Sequence, residues 1–330
     1  VLKYYSKSPF TNMSISIGFN THGKSRVRMV KIIRNSDGTQ DIVQITANIL
    51  LEGDIMDGAF YTGDNSNVVP TDTCKNTVYV LGKMHDFCSI ESFGIIICEH
   101  FLKSYPDQVQ KVSVELLKDR WDRVVVPDSK GAMRQHAHAF KRVGPAVPYT
   151  KVVGTKSRHM PAVMSVASGI RGYTVLKTTQ SGFLDFHQCS NTSLPQEDDR
   201  ILGTSFDVEW KYCPGQVRAK NLQYNKISQS VEDSLVRTLV GPADTGHYSK
   251  SVQETLYNMG HNVLEAESAI TAIHLSMPNI HNMPFPLMEK CGIENKDHTG
   301  KPFIFFPIDE PHGLIKADII RSPNVKKARL

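Results

Sequence analysis

FDVEWKY, residues 206–212, alternates without a fault. Phe206, Val208, Trp210 and Tyr212 fall on one side, and Asp207, Glu209 and Lys211 on the other. Successive side chains of a strand point to opposite faces, so a period of two marks a strand with one buried and one wet face. That is the habit of an antiparallel sheet with a single covered side. The same pattern recurs in DIVQITANIL (41–50), VSVELL (112–117) and AITAIHLSM (269–277), where Ala269, Thr271, Ile273, Leu275 and Met277 alternate. Asp37-Gly38, inside NSDGTQ, is a hairpin signal between RVRMVKIIR and DIVQITANIL.

Two stretches change the period. SIESFGIIICEHFLKSYP (89–106) carries Ile90, Phe93, Ile97 and Phe101 at helical spacing and stops before Pro106. SVQETLYNMGHNVL (251–264) carries Val252, Leu256, Met259 and Val263. Ser251 with Glu254 three residues on is a capping-box pattern, which starts this helix at Val252. Its first amides, on Val252 and Gln253, have no acceptor within the helix and attract an anion or a carbonyl-rich ring. Each half of the chain thus has a strand pair, then helix, then more strands. The expected class is α+β, a duplicated ββαββ-type unit with mainly antiparallel sheets. The expected segments are an N-terminal arm (1–20), disordered or laid over the assembly, two domains (21–150 and 151–327), and a C-terminal tripeptide (328–330).

The bulk composition sets the class of protein. The 330 residues are 40% hydrophobic and 22% charged, as in a globular chain. The net charge of +5 comes from scattered Lys and Arg, which favours small anions and argues against a nucleic-acid partner. None of the six cysteines forms a CxxC pair, so free thiols in a reducing compartment are expected. FGIIIC, the longest apolar run, is far too short to span a bilayer, so no membrane partner is expected. Ala328-Arg329-Leu330 reads small–basic–Leu, similar to a receptor-read peroxisomal address.

Taken one at a time, the polar constellations have bland explanations. Thr71-Asp72, between Pro70 and Lys75, reads as a turn. His136 and His138 share a face and are read as the polar side of a strand, not as metal ligands. Phe183 reads as core, and Arg200 as a surface ion pair with Asp198 or Asp199. Asn279 and His281 lie on a strand exit bounded by Pro278 and Pro284. No P-loop, GxGxxG, HExxH or GxSxG is present.

Taken together, they change meaning. THGKSRVR, NVVPTDTCKNTVYV, HAHAFKR, TVLKTTQSGFLDF followed by L and R, SVQETLYNM, SMPNIH and PHGLIK occur in one order along the chain. This series resembles the urate oxidase (uricase) family over roughly residues 20 to 330. The resemblance implies two tandem T-fold (tunnelling-fold) domains and four chains around a central tunnel, with active sites at subunit interfaces. It implies oxidation of urate by O2 and water to 5-hydroxyisourate and hydrogen peroxide, with no cofactor and no metal. Carried over by position, Arg200 and Gln253 would clamp the urate edge, Phe183 would stack on the ring, and the Val252 amide would meet its carbonyl side. Thr71 and the Asp72 amide would hold the five-membered-ring side. Leu194 and Ile315 would line the pocket. Asn279, with Thr71, would hold dioxygen or water. Lys24, Thr71 and His281 match a proton relay, in which a partly buried Lys with a lowered pKa can take up a proton. The resemblance also supports peroxisomal import through the terminal tripeptide. One position departs: Asn191 stands where the family usually has an aromatic supporting the Phe183 segment. The alternatives are a pterin- or purine-directed enzyme of the same superfamily, and an inactivated uricase that only binds purines.

Overall fold

In the computed structural model, residues 15–157, 162–219, 221–286 and 290–322 are described. The tripeptide 328–330 and most of the expected arm lie outside them. The last part of the arm is tied down: the Ile17 N–H donates to the Tyr61 hydroxyl, and the Asn20 amide to Asp57.

The first half contains β1 (His22–Arg34), β2 (Gln40–Glu52), a one-turn α1 (Gly58–Tyr61), α2 (Thr71–Met84), α3 (Ile90–Ser104) and β3 (Lys111–Lys118). A hairpin of β4 (Trp121–Pro127) and β5 (Met133–Arg142) and then β6 (Val147–Thr155) complete it. The second half contains β7 (Val163–Lys177), β8 (Leu202–Tyr212), α4 (Tyr224–Val240), α5 (Val252–Ala266), β9 (Ile270–Pro284) and β10 (Phe305–Ile320). Eight strands form one sheet in the order β1-β2-β3-β6-β7-β8-β9-β10, every neighbour antiparallel. The hairpin β4–β5 stands apart as a two-stranded sheet. With that hairpin and the one-turn α1 set aside, each half repeats two strands, two helices and two strands, with a helix pair in place of the expected single helix.

The alternating patterns become one buried face. Val112, Val114 and Leu116 of β3, and Phe206, Val208, Trp210 and Tyr212 of β8, are all at most 2% exposed. They pack against the apolar stripes of the helices, including Phe93, Ile97 and Phe101 of α3 and Leu256, Met259 and Val263 of α5. The β1–β2 turn closes through Gly38, whose φ of 84° suits glycine. In β9 Ile273, Leu275 and Met277 are buried as expected, but the alternation breaks at the strand's start. A register shift opposite Lys211 and Tyr212 leaves Ile270 buried and Thr271 only half-buried, because a bulge re-aims the side chains beyond it.

Two helices were hidden from sequence inspection. The Thr71-Asp72 turn is in fact the first turn of α2, with Pro70 as its N-cap residue. Cys74, Val78 and Leu81 form its buried stripe, and the β-branched run NTVYVL masks that helical spacing with strand propensity. The 17-residue α4 buries Ile227, Val231, Leu235 and Leu239. All six cysteines are free, and among the described residues no helix is long and apolar enough to cross a membrane.

Candidate functional site

Three chain segments meet at the start of α5. The Ser251 hydroxyl accepts the Glu254 amide at 3.1 Å and caps the helix, which begins at Val252. Just before it, Ser249 pairs with Ser181. The Gly182 amide donates to the Ser249 carbonyl (2.9 Å), and the Ser249 amide to the Gln180 carbonyl (2.9 Å). The third segment joins through the Arg200 amide, which donates to the Ser181 carbonyl (2.7 Å), and through a two-bond bridge between Phe183 and Glu197. The Lys177 ammonium pins the junction, donating to the carbonyls of Gln180 and His247 and to the Ser249 hydroxyl. Burial lowers its pKa. A Cβ on Gly182 would overlap the Tyr248 hydroxyl and force it aside.

This knot brings Phe183, Arg200, Val252 and Gln253 to one place. The Arg200 guanidinium carbon lies 5.5 Å from the centre of the Phe183 ring. Its Nε is buried with no acceptor, and burial lowers its pKa from the ordinary value. The ion pair expected with Asp198 or Asp199 does not form. The Asp199 carboxylate is already engaged by Lys301, Thr179 and the Gln180 amide, which leaves the Arg200 fork free for a ligand. The Gln253 side chain is exposed beside the uncapped amides, while Val252 is 4% exposed and anchors the helix start in the core.

The last two sheet strands lie beyond. Asn279 is half-buried on β9 between Thr204 of β8 and Gly313 of β10. Thr204 Oγ1, and Asn282 Nδ2 three residues further along β9, are buried without partners. His281 pairs with Ile308 where the β9–β10 register shifts. Ile315 packs against the core, and Leu194 stands 45% exposed.

Lys24, Thr71 and Asp72 gather elsewhere. Lys24 is half-buried on β1, opposite Ile49 and just before a bulge where Arg26 adopts a φ of 59°. The His22 ring bonds to the Val69 carbonyl (3.0 Å), which ties β1 to the entry of α2. The Asp72 carboxylate accepts from Lys75 (2.5 Å) and Asn76 (2.8 Å). Lys75 chiefly, with a smaller contribution from Lys24, holds its pKa low. Thr71 is exposed beside it at the helix start.

Lys24 and His281 are not brought together in one chain. They sit on β1 and β9, six strand spacings apart along the sheet, or about 30 Å at roughly 4.8 Å per spacing. His136 and His138 stack edge to face at 4.6 Å on β5. Among the described residues, no group of three His, Cys, Asp or Glu side chains is placed to hold a metal ion.

Sequence inspection missed Lys177, Tyr248 and Phe186. Tyr248 donates to the Asp198 carbonyl (2.7 Å), and Phe186 stacks on Phe183. Lys177 and Phe186 both fall within TVLKTTQSGFLDF, yet nothing in their spacing announces such contacts.

Comparison with known proteins bears on the same geometry. The sequence profile of the family "Uricase" matches residues 20–153 and 166–316. The uricase of Arabidopsis thaliana is 39% identical over 306 residues, covering 91% of this chain and 94% of that one. The uricase of Danio rerio is 32% identical over 316 residues, covering 96% and 98%. The crystal structure of uricase from Arthrobacter globiformis superposes with a TM-score of 0.79 at 29% identity, covering 96% of this chain and 98% of that one.

Proposed function

The chain belongs to the uricase family and is an oxidoreductase acting on urate, and from that premise we propose that its two separated residue groups are the halves of one active site completed between subunits. The observation that carries this is the division itself. Phe183, Arg200, Val252 and Gln253 are knotted together in the half of the chain's sheet remote from Lys24, Thr71 and Asp72. Lys24 lies on the edge strand β1; Phe183 and Arg200 lie between β7 and β8, and α5 packs on β9 and on β10, the other edge, and neither edge has a second strand partner among the described residues. Continuing one sheet into the next copy joins the groups, and a homotetramer around a tunnel is the assembly that follows. The repeat of four strands supports two units that divide between β6 and β7, after the expected boundary at 150/151, which falls inside β6.

In this site Phe183 stacks on the purine. The free Arg200 fork and the Gln253 amide grip the anionic edge, and the first α5 amides meet its carbonyls. From the neighbouring copy, Thr71 and the Asp72 amide hold the five-membered ring. Asn279 and Thr71 keep dioxygen and then water over the ring, and Leu194 and Ile315 line the walls. Deprotonated urate gives two electrons to O2, which leaves as hydrogen peroxide. Water adds its oxygen to the oxidised ring, giving 5-hydroxyisourate. Lys24, Thr71 and His281 carry the protons, since a hydroxyl both donates and accepts. Direct transfer from the electron-rich ring requires no metal or organic cofactor.

The test follows urate absorbance and oxygen uptake together on chelator-treated protein. Loss of urate matched one to one by O2 is expected. Urate left intact by an assembled tetramer would overturn the proposal.

A further inference from the structure

We infer that Phe186 is a positioning residue for the stacking ring, bracing Phe183 on one face and leaving the other for the substrate; this rests on Phe183 being the platform for the purine. The two rings lie 4.8 Å apart between centres and are within 9° of parallel. At a van der Waals separation of about 3.5 Å the rings are slid by about 3 Å, the offset arrangement that aromatic pairs favour. A ring has two faces. With Phe186 on one, a flat heterocycle has at most a single face of Phe183 left to stack on, with the Arg200 guanidinium 5.5 Å from the ring centre.

The backbone is bent to make this contact. Residues three apart on an extended strand point to opposite sides, so Phe183 and Phe186 would not meet in a regular strand. Between them Asp185 adopts a φ of 55°, a left-handed conformation that non-glycine residues rarely take. Its amide donates to the Gln196 side chain (2.7 Å), while Phe183 is bridged to Glu197. The chain therefore folds back and lays Phe186 on Phe183. The root of Phe183 is fixed by that bridge and by Gly182 under Tyr248. Nothing in the backbone fixes the ring's tilt, and Phe186 does so. Asn191, further along the segment, is exposed in the turn where the Thr192 amide meets the Cys189 carbonyl, so it takes no part in the brace. A platform held flat before binding spares the ordering of its ring on association.

The experiment compares Phe186→Leu, Phe186→Tyr and Asn191→Ala by urate turnover and by binding of xanthine as a purine probe. Phe186→Leu is expected to weaken xanthine binding and raise KM about fivefold, with a smaller change in kcat. Phe186→Tyr keeps a ring and is expected to restore both, and Asn191→Ala to change neither. Unchanged binding in Phe186→Leu would overturn the brace. So would tighter binding, which would mean that Phe186 sits on the purine's own face, or an equal loss in Phe186→Tyr. If the leucine variant fails to assemble, Phe186→Met, of similar bulk without a ring, takes its place. Wild-type protein that consumes no urate would sink the functional proposal instead, so the two failures are distinguishable.

Discussion

The Arg200 side chain departs from an ordinary surface arginine in one respect: its Nε is buried with no acceptor. Buried donors are nearly always paired, so an orphan donor beside the Phe183 ring fits the proposed clamp on the ligand. Arg200→Ala is expected to abolish urate binding and leave the assembly intact. Glu91 is a second buried polar group, 3% exposed and bonded to the Ser168 hydroxyl at 2.6 Å. Burial pushes its carboxyl pKa above the ordinary 4.5. Between 4.5 and the raised value the folded chain holds a proton that the unfolded chain has lost, so stability falls as pH rises through that window. Glu91→Gln, always neutral, is expected to raise Tm by a few degrees at pH 7, near the top of the ordinary range in which such effects are read. The gain should vanish at a pH below 4.5, and a thermal melt series would show it; a lower Tm for the variant at neutral pH would contradict this account.

At the scale of elements, the start of α5 was legible because capping is local chemistry. Ser251 and the following stripe identify it without any distant contact. Ser251→Ala is expected to lower stability by about 1 kcal/mol and to loosen purine binding as the first turn frays. Amide exchange restricted to the first turn of α5 would report it, and unaltered protection there would refute it. The start of α2 was not legible. Pro70 and Asp72 fit a turn or a helix equally well, and only packing of Cys74, Val78 and Leu81 onto the sheet decides between them. The bulges at Lys24–Val27 and at Lys211–Tyr212 are likewise set by neighbouring strands.

At the scale of the molecule, the sheet sets the architecture of the site. Six strand spacings between β1 and β9 put Lys24 and His281 beyond reach of one ligand in a single chain. Arg200→Ala disables the second half of the proposed site, and Lys24→Met is expected to slow turnover at the first. When the two impaired proteins are dissociated and reassembled in equal amounts, about a quarter of the interfacial sites regain two intact halves. Recovery of roughly that share of activity is expected, whereas no recovery in confirmed mixed tetramers would place each site within one chain.

By itself the sequence determined the class of fold, the buried faces of β2, β3 and β8, and the capped helix that opens at Val252. These follow from period, capping and residue type, which are properties of neighbours in the chain; the residues proposed for the site came instead from the resemblance to the uricase family. Tertiary structure alone decided that Arg200 escapes its acidic neighbours, because Asp199 is taken by Lys301 and Thr179 from distant loops. It decided that Phe186 lies on Phe183, through a left-handed Asp185 that no spacing foretells. It also decided that the two residue groups stand apart on one sheet, one at β1 and the other beyond β7. Each of these depends on groups far apart in sequence, whose meeting is fixed only when the strands pair.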